Sequence, residues 1–514
     1  MTETTAHAKK QTLDKDLEKL VYVEEATSLV ARGLVAPGLA VLFLALATIF
    51  ASVYVFGEPR AVIVVAAAAV GAYMALNIGA NDVANNMGPA VGARAMTLGS
   101  ALLVAAVFES AGALIAGGDV VDTISKGIIE PQAVGDPAIF IRAMLAGLLS
   151  SALWVNLATW IGAPVSTTHA VVGGVVGAGI MAAGFGAVDW PVMAQIAASW
   201  VVSPLAGGIV AALFLAFIKT FIIYQDDKVA AARRWVPLLI AIMAGSFTAY
   251  LATKGLGQVV ELGNGTVAGL GLAAFLLVWA ASHVLVQRQS EGMENRNQSL
   301  RRLFNLPLVI SAALLSFAHG ANDVANAVGP LAAIVFTAEA NAVTSEVVIP
   351  IWVMVIGAFG ISLGVVLFGP KLIRMVGEQI TKLNPMRAFC VALSAAITVI
   401  IASGLGLPIS STHTAVGAVF GVGFFREWYT AHSKRRRAYL ERKNARAKNS
   451  RPAGGKRVAV KDIRAAPKLS REEITRRKLV RRAHVRTIVA AWVLTVPASA
   501  LLAALVFVLL DAFV

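Results

Sequence analysis

The stretch Gly79-Ala80-Asn81-Asp82-Val83-Ala84-Asn85-Asn86 returns, changed only at its last residue, as Gly320-Ala321-Asn322-Asp323-Val324-Ala325-Asn326-Ala327. A second string follows each copy. Pro164-Val165-Ser166-Thr167-Thr168-His169 returns as Pro408-Ile409-Ser410-Ser411-Thr412-His413. Both pairs are displaced along the chain by nearly the same distance, so the chain is two related halves. Each half carries one carboxylate and amide cluster and one hydroxyl cluster, set against long apolar runs. Polar groups at membrane depth are costly and are usually retained for function. Duplicated halves are a common construction of membrane transporters.

The composition fits a membrane protein. Of 514 residues, 58% are apolar and 14% charged, against about 25% charged in soluble proteins. Runs at 33–56, 60–77, 195–222 and 487–513 approach or exceed the roughly 20 residues that span a bilayer as a helix. The charged leader, 1–32, is too long and too acidic for the n-region of a signal peptide. The single cysteine, Cys390, excludes an intramolecular disulfide and reads as a small core residue. The net charge of +15 is local: residues 426–486 hold 22 Lys/Arg against 5 Asp/Glu. That segment has few aromatics and no nucleic-acid-binding motif. It reads as a solvated cytoplasmic loop, and no nucleic acid is expected as a partner.

Thirteen apolar segments emerge, near 33–56, 60–80, 97–117, 138–161, 169–188, 195–222, 236–254, 266–286, 305–320, 347–370, 388–405, 413–425 and 487–513. Basic loops at 223–235, 287–304, 371–387 and 426–486 then fall on one face, as the positive-inside rule requires. The opposite face receives 118–137 and 321–346. The N-terminus is expected in the cytoplasm and the C-terminus outside. An odd number of segments separates the two acid clusters, so the halves enter from opposite faces. The expected fold is an all-α polytopic membrane protein of two inverted-topology repeats, with about 12–13 membrane segments. Its expected parts are the leader, an extra helix at 33–59, repeat 1 at 60–222, a central loop with two linking helices at 223–304, repeat 2 at 305–425, the basic loop at 426–486 and a last helix at 487–514. Each hydroxyl string is expected at the tip of a re-entrant hairpin, since 413–425 is too short to cross.

Asn81, Asp82 and Asn85 share one helical face, as do Asn322, Asp323 and Asn326. Each set offers a carboxylate and two amide oxygens, suited to Na+ or to a carboxylate that carries a proton. Pro89 and Pro330 predict a break or kink just past each cluster. Ser166, Thr167 and Thr168, and Ser410, Ser411 and Thr412, follow a proline and precede a Gly-rich run, the pattern of a helix start. Free N–H groups and hydroxyls there suit an oxyanion such as phosphate or sulfate, although Ser and Thr also serve as ordinary N-caps. His169 and His413 read as structural. Gly173 and Gly177, and Gly417 and Gly421, read as helix-packing positions. Glu109 has no counterpart in the second half and joins the cation candidates, as a second cation site or as the partner of a basic residue. Arg94 and Arg387 flank apolar runs on the cytoplasmic side, and Arg387 could screen anion charge at the inner mouth.

There is no P-loop, no His/Cys metal spacing and no nucleophile elbow, so neither ATP-driven transport nor an enzyme is expected, and no cofactor beyond the coupling ion. The stretches 79–92, 108–129, 164–179, 319–333 and 407–423 together resemble the inorganic phosphate transporter (PiT) family, secondary Na+- or H+-coupled carriers. The resemblance covers about 60 to 425 nearly continuously. It implies import of inorganic phosphate by cation symport with alternating access, and it assigns cation and phosphate binding to the two repeated clusters. The modest soluble loops suggest a prokaryotic inner membrane. Asn86 departs from the pattern, where Ala or Ser is more typical, and 426–486 is an unusually long insert. Alternatives from the residues are a sulfate permease, an uncoupled anion channel, or a membrane-anchored lipid or nucleic-acid binder using 426–486. Na+ versus H+ and a homodimer are left open.

Overall fold

In a computed structural model, residues 34–513 are described apart from Pro59, Pro164, Val259, 344–347, 380–382 and 450–481. The leader, Glu346, Lys382 and much of the basic insert therefore lie outside the described residues. The chain is all helical: α1 (Leu34–Tyr54), α2 (Ala61–Gly92), α3 (Leu98–Ala116), α4 (Gly118–Lys126), α5 (Pro131–Val134), α6 (Pro137–Ile161), α7 (Thr167–Ala183) and α8 (Trp190–Ile218) come first. Then follow α9 (Lys228–Lys254), α10 (Asn264–Ser290), α11 (Asn297–Leu303), α12 (Asn305–Asp323), α13 (Ala325–Ala340), α14 (Ile351–Gln379), α15 (Pro385–Gly404), α16 (Ser411–His432), α17 (Lys434–Asn449) and α18 (Arg482–Phe513). Among the described residues, eleven helices are long and apolar enough to cross a bilayer.

The outward faces carry apolar stripes at helical spacing. Val201, Leu205, Ile209 and Leu213 on α8, and Leu501, Leu505 and Leu509 on α18, are all exposed. In water such stripes would drive aggregation; facing lipid tails they are at rest. The interior is built differently, from small residues that let backbones meet. A Cβ on Gly79 would run into the Ile361 carbonyl, and one on Gly364 into Leu76. A Cβ on Gly320 would meet Glu109, and one on Gly112 would meet Phe317. Contacts further along fix direction: Gly360 meets Ala75 and Gly369 meets Val83, so α2 runs parallel to α14, and Gly320 meets Glu109 while Gly117, just past α3, meets Val324, so α3 runs parallel to α12. Gly173 and Gly177 of α7 seat on Val496 and Ala500 of α18, while Gly417 and Gly421 of α16 seat on Pro204 and Gly208 of α8. The expected packing role of these glycines is thus seen directly.

Two expectations are corrected. The helices do not stop at the acid clusters. α2 continues through Pro89 to Gly92, and α12 continues through Val324, itself helical (φ −56°, ψ −33°), into α13 and past Pro330. Each proline removes one donor, a loss that membrane helices tolerate; beyond Pro330 the apolar run 331–335 stays buried, and beyond Pro89 the helix runs on for three residues. Consequently 321–340 is no outer loop: 325–340 are helical, and Asn326 to Val335 are buried. The 413–425 segment is also longer than expected, since α16 carries its helix on to His432. Cys390 is fully buried and donates to the Met386 carbonyl. The first part of the basic insert, α17, docks through Tyr439, which accepts from Lys228 Nζ at 2.6 Å.

Candidate functional site

Both acid clusters sit mid-helix, in α2 and at the α12–α13 junction, and both hydroxyl strings begin helices in the same interior region. Ser166 and Ser410 are N-caps, their Oγ atoms accepting from His169 N (3.2 Å) and His413 N (3.1 Å). The capping role is therefore real for these two. It leaves the hydroxyl protons, and the free N–H groups of each first turn, still able to donate.

The other hydroxyls knit the halves together. Asp82 accepts from Thr167 Oγ1 (3.0 Å) in its own half and from Thr412 Oγ1 (2.7 Å) in the other. Asp323 accepts from Ser411 Oγ (2.8 Å), the counterpart of Thr167. Asn85 donates to Thr412 Oγ1 (2.8 Å), and Asn326 donates to Thr168 Oγ1 (3.2 Å). Asn81 and Asn322 hold the approach to each string, donating to the carbonyls of Val165 (3.0 Å) and Leu407 (3.1 Å). The two helix starts meet tip to tip: Thr168 Oγ1 donates to the Ile409 carbonyl (3.0 Å), and the rings of His169 and His413 lie 4.5 Å apart. Both positive helix ends therefore point into one region. None of the twelve duplicated candidates is more than 8% exposed.

Onto this paired frame the chain adds an unpaired group. His319 Nε2 lies 3.0 Å from Asp323 Oδ2 and 3.7 Å from Asp82 Oδ2, and Nδ1 lies 3.3 Å from Glu109 Oε2. Asn86 donates to Glu109 Oε1 at 2.9 Å. His319, Glu109 and Asn86 are fully or almost fully buried. Their counterparts in the other half are Ile78, Ile361 and Ala327, all apolar. The two departures noted in sequence, Asn86 and Glu109, are thus one feature, completed by a histidine that the sequence reading left without a role.

The donor set fits a cation. Asp82, His319 and Asp323 present ligand atoms within 4.8 Å of one another. The buried oxygens Asn322 Oδ1, Asn326 Oδ1 and Asp323 Oδ1 have no hydrogen-bond partner in the protein. Buried acceptors without donors call for water or an ion, and hard oxygens of this kind suit Na+. Pro89 and Pro330 contribute as well. A proline lacks the N–H that would bond the carbonyl four residues earlier, which here belongs to Asn85 and Asn326. Each proline thereby leaves a backbone oxygen available beside its cluster.

Asn86→Ala strips Glu109 of this donor. A hydrogen bond to a charged group is worth about 1.5–3 kcal/mol of stability, so the melting temperature of the variant should fall by several degrees. Asn86→Gln, which keeps the amide, should recover part of that loss in the same melting experiment.

A family model described as the phosphate transporter family matches residues 78–503. A protein of Helicobacter pylori named "Putative phosphate permease" is 44% identical over 96% of this chain and 98% of its own length. The chloroplastic inorganic phosphate transporter 2-1 of Arabidopsis thaliana is 38% identical over 69% of this chain and 65% of its own. A solved structure titled "The sodium-dependent phosphate transporter" superposes with a TM-score of 0.75 at 33% identity, covering 88% of this chain and all of that one. The chain belongs to the phosphate transporter family.

Proposed function

We propose that the chain imports inorganic phosphate by cotransport with a cation, Na+ foremost, through alternating access of two inverted-topology repeats. The observation that carries this reading is convergence: two acid clusters and two hydroxyl-bearing helix starts, from opposite halves, meet at one buried place. Ser166, Thr167, Thr168, Ser410, Ser411 and Thr412 receive the phosphate. Asn81, Asp82, Asn85, Asn322, Asp323, Asn326 and Glu109 receive the cations.

The coupling is electrostatic. Asp82, Asp323 and Glu109 are each at most 1% exposed. Bare carboxylates there would repel an anion of one or two negative charges, and burying uncompensated charge is prohibitive. A bound cation removes the repulsion, and only the loaded, nearly neutral site is occluded cheaply. The inverted relation is supported by helix direction. Consecutive α2 and α3 form a hairpin, and α3 runs parallel to α12, so the two acid-bearing helices are antiparallel. The basic loops then face the cytoplasm of a prokaryotic inner membrane, with the N-terminus inside and the C-terminus outside.

The unpartnered hard oxygens favour Na+, as does the sodium dependence named for the solved relative. His319, ringed by three carboxylates, favours H+ as the second reading. Phosphate uptake into proteoliposomes under separate Na+ and pH gradients decides between them. Na+-driven accumulation supports the first reading and pH-driven accumulation alone the second. Flux that follows neither gradient refutes coupling and leaves an anion channel, while competition by sulfate at equal concentration refutes phosphate selectivity.

A further inference from the structure

We propose a second anion site, for a phosphoryl group, in an arginine-lined cavity at the mouth where α2 ends. The cavity is about 420 Å³ and is lined by Arg94, Arg301, Arg302, Arg387, Asn305 and Asn384, with no carboxylate among its described lining residues. That volume lies within the range of about 300–1,000 Å³ typical of ligand pockets. Ten residues of α2, about 15 Å at 1.5 Å per residue, separate it from Asp82, so it is distinct from the central cluster.

Three observations point to an anion. First, four arginines line one space, and among the described side chains none of them pairs with a carboxylate. Like charges so gathered repel one another, and an anion between them reverses the sign of the interaction. Second, two long helices begin at this cavity, α12 at Asn305 and α15 just after Asn384, which caps it by accepting from Arg387 N (3.0 Å). Their positive dipole ends add to the same field. Third, Arg94 has φ +59°, the left-handed region that glycine fills without strain. An arginine at this turn is strained where glycine would be relaxed, which argues that its side chain is needed. Guanidinium forks match phosphoryl oxygens in pairs, and that selects this chemistry over halide.

Two sources share the chemistry: free phosphate released from the central site, and the headgroup of an anionic lipid. Binding itself does not depend on the transport reading; only the first source does. The test is equilibrium dialysis of [32P]phosphate against the full chain in phosphatidylcholine nanodiscs. It compares wild type, Asp82→Asn, Arg94→Gln/Arg387→Gln and the combination. One phosphate per chain should survive Asp82→Asn and weaken at least about tenfold with the two arginine changes. Exposed Arg301→Gln and Arg302→Gln should each weaken it with no risk to folding. Loss of that phosphate on adding phosphatidylglycerol identifies the headgroup as occupant, and its persistence identifies free phosphate. The proposal is overturned if no phosphate binds in Asp82→Asn, or if binding there ignores all four arginines. If wild type also binds only that one arginine-dependent phosphate, with no second phosphate lost on Asp82→Asn, the central-site reading is overturned and this one stands.

Discussion

Asp82→Asn and Asp323→Asn should each leave about one per cent or less of cation-driven phosphate uptake, because removing the charged partner of a buried, bound ion weakens that binding by about 2–5 kcal/mol. The change preserves shape, so the loss is chemical. Asp82 accepts from two hydroxyls, one in each half, and faces His319. An amide at this position presents N–H groups to hydroxyls that already donate, and removes a full charge from the cation set. The sign of the stability effect separates this from misfolding. Without cation, the wild-type carboxylates repel one another, so the variants should melt at the same temperature or higher in Na+-free buffer. With Na+, the wild type should gain stability by ligand linkage, and the variants should not. Melting curves on purified protein at low and high Na+, beside uptake, check both halves of this expectation.

Gly320→Ala should damage the fold itself, and Gly79→Ala should do the same in the other half. Both glycines belong to the repeated cluster and could pass for binding residues. Their positions say otherwise. A methyl on Gly320 collides with the backbone of Glu109, and one on Gly79 with the backbone of Ile361. No rotamer change relieves a clash with backbone, so two helices must separate. Overpacking of this kind costs about 1–3 kcal/mol where side chains can adjust, and the upper end or beyond is expected here. Separation of α3 from α12 also draws Glu109 away from His319. The yield of monodisperse protein and its melting temperature should fall in both variants, while the neighbouring Gly99→Ala, with open space around it, should be silent.

Much of this was legible in the sequence because it was written twice. Repetition picked out Asp82 and Asp323, and the hydroxyl triplets fell where helix starts were expected, with Ser166 and Ser410 in cap geometry. Helix ends were misjudged for a physical reason. Pro89 and Pro330 resemble stop signals in water, whereas inside a bundle they remove one hydrogen bond and leave the helix running. The central histidine was missed because repetition cannot report what occurs once. His319 precedes Gly320-Ala321-Asn322-Asp323 as Ile78 precedes Gly79-Ala80-Asn81-Asp82. A comparison of the halves for mismatches, instead of matches, would have returned His319, Glu109 and Asn86 together. Only the packing of α3 against both α2 and α12 shows that they touch.

The central claim is that cation and phosphate occupy one buried place and stabilise each other there. Its most direct test is reciprocal binding to the purified chain, with [32P]phosphate titrated at several Na+ concentrations and 22Na+ titrated at several phosphate concentrations. Na+ should tighten phosphate at an Asp82-dependent site by about tenfold or more, and phosphate should tighten Na+ by the same factor, as linkage requires. Phosphate affinity at that site that stays constant across Na+ concentration and pH would contradict the account.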